Sequence, residues 1–367
     1  MRDEGLRQNE APRTGNGVSR TPRSTVFPAC GDPIGAPGTP TVHDIEATLP
    51  VLSLFAGDTP VHHCPEVDQR LGRRLFVKLE SRQPGGSFKV RGLIRLLAGL
   101  PQHRLDQGVI GRGRANFVRA LGWAGRRYGV PVTAVVPDDV PASLVRDLLA
   151  CGARPVFHPA GSPGAGEAVL AEQAGRHRLT VVRPGGRHAV IGAGTVAWEM
   201  LRQVPDLATL ILPLGSGSLA AGSALVARGR RRGVRVVGVA PARSLTVSSA
   251  PQHRIAAGTA GSRQVWALDS ADPDPMAGEL AARLLDERVT VADEDIRRAV
   301  GVYAREYRQT AEPSGALALA AVLSGRVRPA PGPVGVVLSG GNVMADVGAR
   351  PALATGRESP RAPGAEG

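Results

Sequence analysis

Residues 75–92 read LFVKLESRQPGGSFKVRG and contain both lysines of the 367-residue chain, Lys78 and Lys89. Lysine and arginine together number 45, so arginine supplies nearly every other positive charge. Arginine replaces lysine in ion pairs and phosphate contacts, but its guanidinium stays protonated and is not an amine nucleophile. Two lysines could persist by chance. The alternative is that one of them forms a Schiff base, which requires a primary amine.

The net charge of +13 raises the question of nucleic-acid binding. The densest basic stretch, residues 228–235, falls between an expected helix and an expected strand, where cations suit the negative end of a helix dipole. Single-strand binders also need aromatic side chains for stacking, and aromatic residues make up only 3% of this chain. We therefore expect a solvated basic surface and no nucleic-acid partner.

Compartment is indicated by apolar runs and cysteines. No apolar run has the length of a membrane span, and no charged-then-apolar leader opens the sequence. The three cysteines are scattered and have neither disulfide nor zinc spacing. We expect a cytoplasmic protein that does not engage a membrane.

Short apolar segments alternate with amphipathic ones through most of the chain, which predicts an α/β protein with mainly parallel sheets flanked by helices. The strand candidates are residues 75–80, 108–111, 132–137, 155–158, 179–182, 207–214, 234–240 and 334–338. The helix candidates include residues 88–97, 116–128, 142–151, 193–202, 218–228, 293–307 and 313–323. Residues 1–40 and 351–367 lack an apolar period and are predicted to be disordered tails.

A glycine-rich turn, Gly215-Ser216-Gly217-Ser218-Leu219, joins a buried strand to a helix. Such a turn directs backbone N–H groups and a helix dipole at one point, which favours phosphate binding. The turn also fits a loose dinucleotide pattern, but that pattern asks for an acidic residue after the next strand, where Ala240 stands. We therefore favour a simple phosphate site.

A third segment, Ser339-Gly-Gly-Asn342, follows the last strand candidate. It would place a hydroxyl at the carboxyl edge of the sheet, where ligands of α/β proteins usually bind. Taken alone, it also fits an ordinary exit from a strand into a turn.

Together these segments resemble the pyridoxal-phosphate enzymes of the tryptophan-synthase-β fold, fold type II, and within them the serine/threonine dehydratase branch. The resemblance covers residues 44–346, and the segment Gly86-Ser-Phe-Lys89-Val-Arg-Gly92 looks like that family's cofactor-lysine motif. Further segments in the family's order are Thr59-Pro60, Lys78-Leu-Glu80, Gly192-Ala-Gly-Thr195 and Glu312-Pro-Ser-Gly-Ala316. His43-Asp-Ile45 and Ala292-Asp-Glu-Asp-Ile296 favour the dehydratase branch.

The resemblance implies two open α/β domains with pyridoxal phosphate in the cleft between them. The large domain would comprise residues 41–91 and 191–350, and the small domain residues 92–190. It also implies a homodimer that binds a small amino acid. Because Ala240 stands where metal-dependent dehydratases place a glutamate, we expect no divalent-metal site of that type.

The resemblance further implies roles for single residues. Lys89 would hold the cofactor and then remove the substrate's α-proton, leaving Lys78 a structural role in its strand. Phe88 would pack near the cofactor ring, and Asn116 would contact its 3′ oxygen. The turn described above (Gly215, Ser216, Gly217, Ser218 and Leu219) would bind the phosphate, and Ser339 would hydrogen-bond the pyridine nitrogen.

One motif departs from the family pattern. Relatives carry Ser/Thr-x-Gly-Asn-His where this chain has Gly113-Arg114-Ala115-Asn116-Phe117, so the hydroxyl that grips the substrate's α-carboxylate is missing. Arg114 and Ala115 are the substrate-binding candidates. Arg114 could bind a carboxylate through a bidentate pair, including that of a substrate with an extra acidic group. Alternatively, its bulk could fill the site and impair activity.

The leading functional prediction is a lyase that carries out β-elimination on a serine- or threonine-like amino acid. A neutral Ser339 hydroxyl at the pyridine nitrogen makes the ring a weaker electron sink, which favours elimination over reactions that need a long-lived carbanion. Two alternatives stay open. One is β-replacement that builds a non-standard amino acid, and the other is a catalytically impaired protein that binds the cofactor.

Overall fold

The computed structural model describes residues 38–230, 233–242 and 274–343. The predicted tail at 351–367, and all of the tail at 1–40 except its last three residues, lie outside the described residues. The strands are β1 Val61–His63, β2 Leu75–Leu79, β3 Val109–Arg112, β4 Val132–Pro137, β5 Arg154–His158, β6 Thr180–Val182, β7 Thr209–Pro213, β8 Arg235–Pro241, β9 Glu287–Val291 and β10 Val334–Leu338. The helices are α1 Val42–Ser53, α2 Pro65–Leu71, α3 Lys89–Gly99, α4 Gln102–Gln107, α5 Ala115–Tyr128, α6 Ala142–Ala150, α7 Ala165–His177, α8 Arg187–Gln203, α9 Ser218–Arg230, α10 Pro275–Leu284, α11 Asp293–Arg305 and α12 Leu317–Leu323.

The described strands form two sheets. One has six strands in the order β1-β2-β10-β7-β8-β9, and all its pairs are parallel except β1 with β2. The other has four parallel strands in the order β5-β4-β3-β6. Helices cover the sheets, so the predicted fold class of two open, mainly parallel sheets is confirmed.

The continuous apolar strands are buried along their whole length. Every residue of β7 and β10 is buried, as expected of parallel strands covered on both faces. Strand β2 lies between β1 and β10, and its Leu75, Val77 and Leu79 pack into one apolar core. Side chains alternate across a sheet, so Lys78 points to the opposite face and is fully buried there.

A buried ion cluster compensates the charge of Lys78. The Lys78 ammonium donates to Glu199 Oε2 at 2.6 Å, to the Thr59 carbonyl at 2.8 Å and to Gln203 Oε1 at 2.9 Å. The Arg91 guanidinium, also fully buried, binds both oxygens of Glu80 at 2.8 Å and contacts both oxygens of Glu199. Two cations and two anions therefore tie β2 and the residue after it to α3 and α8.

The electrostatics of the cluster follow from this pairing. Burial alone would raise the pKa of Glu199, but Arg91 and Lys78 outweigh burial and hold that pKa below its ordinary value. Burial lowers the pKa of Lys78, and Glu199 opposes this effect. The position of Lys78 fits the structural role expected for it.

Helices α3, α8 and α9 pack unusually closely because glycines face each other. A Cβ on Gly192 would lie 2.3 Å from the Gly92 backbone nitrogen, and one on Gly222 would lie 2.2 Å from the Val190 carbonyl oxygen. Only glycine permits these backbone approaches, and they set the position of α3 relative to α9.

Two strands were not predicted. Strand β1 has only three residues, two of them histidine, and β9 (ERVTV) alternates polar and apolar residues at an edge of the sheet. Neither has the continuous apolar run on which the strand predictions rested. Helix α8 also begins at Arg187, ahead of the predicted start at 193. The proposed domain boundaries near 92 and 190 fall inside α3 and α8, and the division into domains stays a prediction.

Several arginines of the basic stretch form ion pairs. Arg228 contacts Asp286, Arg230 contacts Glu46, and Arg235 contacts Glu287. The charges of these three arginines are therefore balanced at short range. Among the described helices, none has the length and apolarity needed to cross a membrane.

We predict that Glu199→Gln lowers the free energy of unfolding by about 3–5 kcal/mol, because it leaves buried cations without full compensation. The matched substitution Glu306→Gln removes a surface pair with Arg70 and should cost about 0–1 kcal/mol. Urea unfolding of both variants measures the difference. The difference in unfolding free energy between the wild-type protein and Glu199→Gln should be complete above the ordinary glutamate pKa of 4.5. It should decrease as the pH falls through the pKa of Glu199 in the folded protein, which lies below 4.5.

We also predict that Gly222→Ala destabilises the fold by about 1–3 kcal/mol, because the new methyl group forces α8 and α9 apart. Gly175→Ala is the control, since a Cβ at this helical glycine meets nothing within 4 Å. It should stabilise the protein by about 0.5–1 kcal/mol through helix propensity. Equal shifts of the thermal unfolding midpoint in Gly222→Ala and Gly175→Ala would contradict the conclusion that α8 and α9 pack closely at Gly222.

Candidate active site

Lys89 is the first residue of α3 and is held against the end of β10. The backbone N–H of Phe88 donates to the Ser339 carbonyl at 3.2 Å, and Ser87 forms an isolated bridge with Gly340. The residue that opens α3 therefore lies beside the Ser339-Gly-Gly-Asn342 segment. Two motifs some 250 residues apart in sequence meet at this point.

A small cavity at the junction of α3, α5, α8 and α9 contains Lys89 in its lining. Phe88, Phe117, His188 and Ser218 also line it. Burial lowers the pKa of the Lys89 amine, and the carboxyl group of Glu312 opposes that shift. A lowered pKa raises the fraction of neutral amine, the form that attacks a carbonyl carbon.

The glycine-rich turn lies at the amino end of α9, with Ser218 at the cavity. The N–H groups of a helix's first turn have no acceptor within the helix, so they are available to an anion. A Cβ on Gly215 would meet nothing within 4 Å, so the turn is open at this residue. Gly217 has φ +93° and packs against the Ala277 backbone, where a side chain would collide.

Asn116 lies in the first turn of α5 and belongs to a group of polar side chains near Lys89. Its Nδ2 donates to Glu312 Oε1 at 2.6 Å, and its Oδ1 accepts from Asn342 Nδ2 at 2.7 Å. Ser314 Oγ also donates to Glu312 Oε1, at 2.8 Å. Burial raises the pKa of Glu312, while Ser314 and Asn116 stabilise its ionised form.

Sequence reasoning did not assign roles to two residues of this region. Glu312 was named only as the first residue of the Glu312–Ala316 segment, without a role of its own. Its proximity to Lys89 arises from tertiary folding and has no local sequence signal. His188 was not singled out. Burial lowers its pKa to about 4, so its imidazole is neutral at physiological pH. The predicted helix began at residue 193, whereas α8 begins at Arg187. His188 was therefore not assigned to a helix.

The two substrate-binding candidates lie at the start of α5. Arg114 precedes the helix and is exposed, and Ala115 is its first residue and partly buried. Phe117 is buried and packs beneath the loop, where a Cβ on Gly113 would lie 2.5 Å from its ring. Among the described residues, therefore, Phe117 rather than Arg114 contributes bulk to the cavity beside Lys89.

Comparison with known proteins identifies the family. The family model described as "Pyridoxal-phosphate dependent enzyme" matches residues 52–340. This chain belongs to that family. The pyridoxal-phosphate cofactor and fold type II are therefore established, as the sequence motifs predicted.

Relatives within the pyridoxal-phosphate-dependent family differ in reaction. Serine racemase of Bos taurus is 30% identical over 321 residues, covering 82% of this chain and 92% of that protein. L-threo-3-hydroxyaspartate ammonia-lyase of Saccharomyces cerevisiae is 29% identical over 311 residues, covering 83% and 94%. The structure of maize serine racemase has a TM-score of 0.78 and 26% identity, covering 83% of this chain and 94% of that one.

The residues of this pyridoxal-phosphate-dependent enzyme suit its cofactor. A partly buried amine, an open glycine turn at a helix amino end and a serine directly after β10 offer partners for an aldehyde, a phosphate and a pyridine nitrogen. The individual roles given to Phe88, Lys89, Asn116, residues 215–219 and Ser339 stay predictions. Among the described residues there is no group of three His, Cys, Asp or Glu side chains that could hold a metal.

The two-lysine composition makes the cofactor-binding residue directly testable. We predict that borohydride reduction of the cofactor-loaded protein, followed by peptide mass spectrometry, places the cofactor mass on Lys89 and leaves Lys78 unmodified. Lys89→Ala should abolish the label, and Lys78→Met, if folded, should retain it. A label on Lys78 in the wild-type protein would contradict the assignment.

Proposed function

We propose that this pyridoxal-phosphate-dependent enzyme is an ammonia-lyase that eliminates the β-hydroxyl of a serine- or threonine-like amino acid and releases a keto acid and ammonia. The observation that carries the proposal is the position of Ser339. It follows β10 beside the Phe88–Lys89 segment. In this proposal its neutral hydroxyl, rather than a carboxylate, would contact the pyridine nitrogen of the cofactor. When bound, the cofactor withdraws electrons from the substrate's α-carbon.

The residues have separable tasks in this proposal. Lys89, in the cavity that it lines, would remove the α-proton, and this proton would leave with the β-hydroxyl as water. The amide groups that open α9 bind the phosphate, and Asn116 orients the cofactor ring from the side of α5. Phe88 and Phe117 exclude water from the cavity that Lys89 lines. The ammonia-lyases among the relatives support this reaction type.

Arg114 supports a narrower substrate class, namely a β-hydroxy amino acid with a second carboxylate. Arg114 is exposed at the start of α5, two residues before Asn116. The exposed position favours carboxylate recognition over the alternative in which Arg114 fills the site. A Saccharomyces cerevisiae relative named for 3-hydroxyaspartate is in keeping with this substrate class.

A product assay tests the reaction. The cofactor-loaded enzyme is incubated with serine, threonine and threo-3-hydroxyaspartate, and keto acid, ammonia and substrate enantiomers are measured. We expect keto acid and ammonia in equal amounts without a second substrate. A new β-substituted amino acid that forms with an added amine or thiol, without keto acid, would identify β-replacement, enantiomer exchange alone would identify a racemase, and no turnover would favour an impaired cofactor-binding protein.

We predict that Arg114→Ser lowers kcat/KM for the dicarboxylic substrate about 10- to 100-fold, the loss of one charge-assisted hydrogen bond, with a smaller effect on serine. Arg112→Ser is the control, because it removes another arginine of the same segment, one that belongs to β3 and pairs with Glu167 at 2.7 Å. It should leave the ratio between the two substrates unchanged. An equal loss for serine and the dicarboxylic substrate in Arg114→Ser would contradict selective recognition.

Four further expectations accompany the proposal. We infer a homodimer, a cytoplasmic location, no nucleic-acid partner and no divalent-metal requirement. Each rests on the sequence arguments given above, and size-exclusion chromatography with light scattering tests the first.

A further inference from the structure

Three polar side chains from distant parts of the chain form a hydrogen-bonded row beside Lys89. Asn342 follows β10, Asn116 lies in the first turn of α5, and Glu312 precedes the 3-10 turn Pro313–Ala316. The row runs from the Gly85 carbonyl through Asn342 and Asn116 to Glu312. We call it the amide row.

The orientation of Asn342 is determined by its backbone partner. Its Nδ2 lies 2.8 Å from the carbonyl oxygen of Gly85, which can only accept a hydrogen bond. The NH₂ end of Asn342 must therefore face Gly85. Its second hydrogen is donated to Asn116 Oδ1 at 2.7 Å.

The orientation of Asn116 follows in turn. Because its oxygen accepts from Asn342, its NH₂ end faces Glu312, whose Oε1 lies 2.6 Å away. An amide NH₂ has two hydrogens, and Glu312 takes one. The row thus leaves one N–H of Asn116 for an external acceptor and determines that this group is a donor.

Two glycines make room for the row. A Cβ on Gly86 would lie 2.2 Å from Asn342 Oδ1, and a Cβ on Gly340 would lie 2.3 Å from Glu312 Oε1. Both glycines belong to the motifs that flank Lys89 and Ser339. Their small size is needed for the row as well as for the turns in which they lie.

We infer that Asn342 and Glu312 are positioning residues that hold Asn116 with an N–H donor directed to the cofactor's 3′ oxygen. The inference rests on the proposed contact between Asn116 and that oxygen. An N–H donor stabilises a deprotonated 3′ oxygen, whereas the carbonyl end of the same amide would repel it. The row therefore selects one protonation state of the bound cofactor.

The cofactor's own absorbance tests this inference, because visible absorbance of the lysine-bound cofactor comes from the form with a deprotonated 3′ oxygen. The form that keeps this proton absorbs in the near-ultraviolet. We expect Asn342→Asp and Asn342→Leu to shift at least half of the visible band to the near-ultraviolet at neutral pH. Cofactor affinity, measured by fluorescence titration, should fall about tenfold, as expected for one hydrogen bond to a charged oxygen.

Two comparisons separate positioning from general damage. Glu312→Gln retains an oxygen for Asn116 and should keep the visible band, while Glu312→Leu should lose it. Gln309→Glu alters another buried amide, which donates to the Tyr307 and Arg308 carbonyls outside the row. It should lower thermal stability and leave the spectrum unchanged.

The outcomes distinguish the inference from its premise. If Asn116→Ala leaves the spectrum unchanged, the contact between Asn116 and the 3′ oxygen is wrong, and the inference falls with it. If Asn116→Ala shifts the spectrum but neither Asn342 variant does, the positioning role alone is overturned. An equal loss in Glu312→Gln and Glu312→Leu would also overturn it, because charge rather than orientation would then control the cofactor.

Discussion

The buried ion cluster of Lys78, Glu80, Arg91 and Glu199 is the constraint on which the site depends. Arg91 lies two residues after Lys89, and its guanidinium is bound on both sides by carboxylates from β2's end and from α8. Removing four charges from water is costly, so such a cluster contributes little net stability. Its effect is geometric, because α3 has one position in which all four charges are compensated. The orientation of Lys89 follows from that position.

The two lysines are both shielded from water but have different partners. Both lose hydration, and burial lowers the pKa of each. Lys78 is paired directly with Glu199 at 2.6 Å, so its charge serves the fold. Lys89 lies in a cavity with Phe88 and Phe117 and is influenced by Glu312 at longer range. Lys78 thus stabilises an ion cluster of the fold, whereas the environment of Lys89 is suited to a reactive amine.

The strands could be predicted to a large extent because parallel strands buried on both faces need continuous apolar runs. Residues 132–137 and 334–338 match β4 and β10. Short edge strands have no such requirement, and β1 and β9 were missed. The charged partners were also missed: Glu199 lies among apolar residues of α8, and nothing in its local sequence indicates that it meets Lys78, 121 positions earlier.

The sequence by itself determined the α/β class, the cofactor family and the segments that meet at the site, because periodicity and short motifs are local properties of the chain. Composition left two lysines as candidates for the cofactor amine, and the resemblance of the Ser-Phe-Lys segment favoured Lys89. Only the tertiary structure decided that Glu312 and Asn342 hold Asn116, that Arg114 is exposed and that Phe117 lies beside Lys89. Hydrogen bonds and burial act over a few ångströms in space, and the residues they join here are up to 257 positions apart.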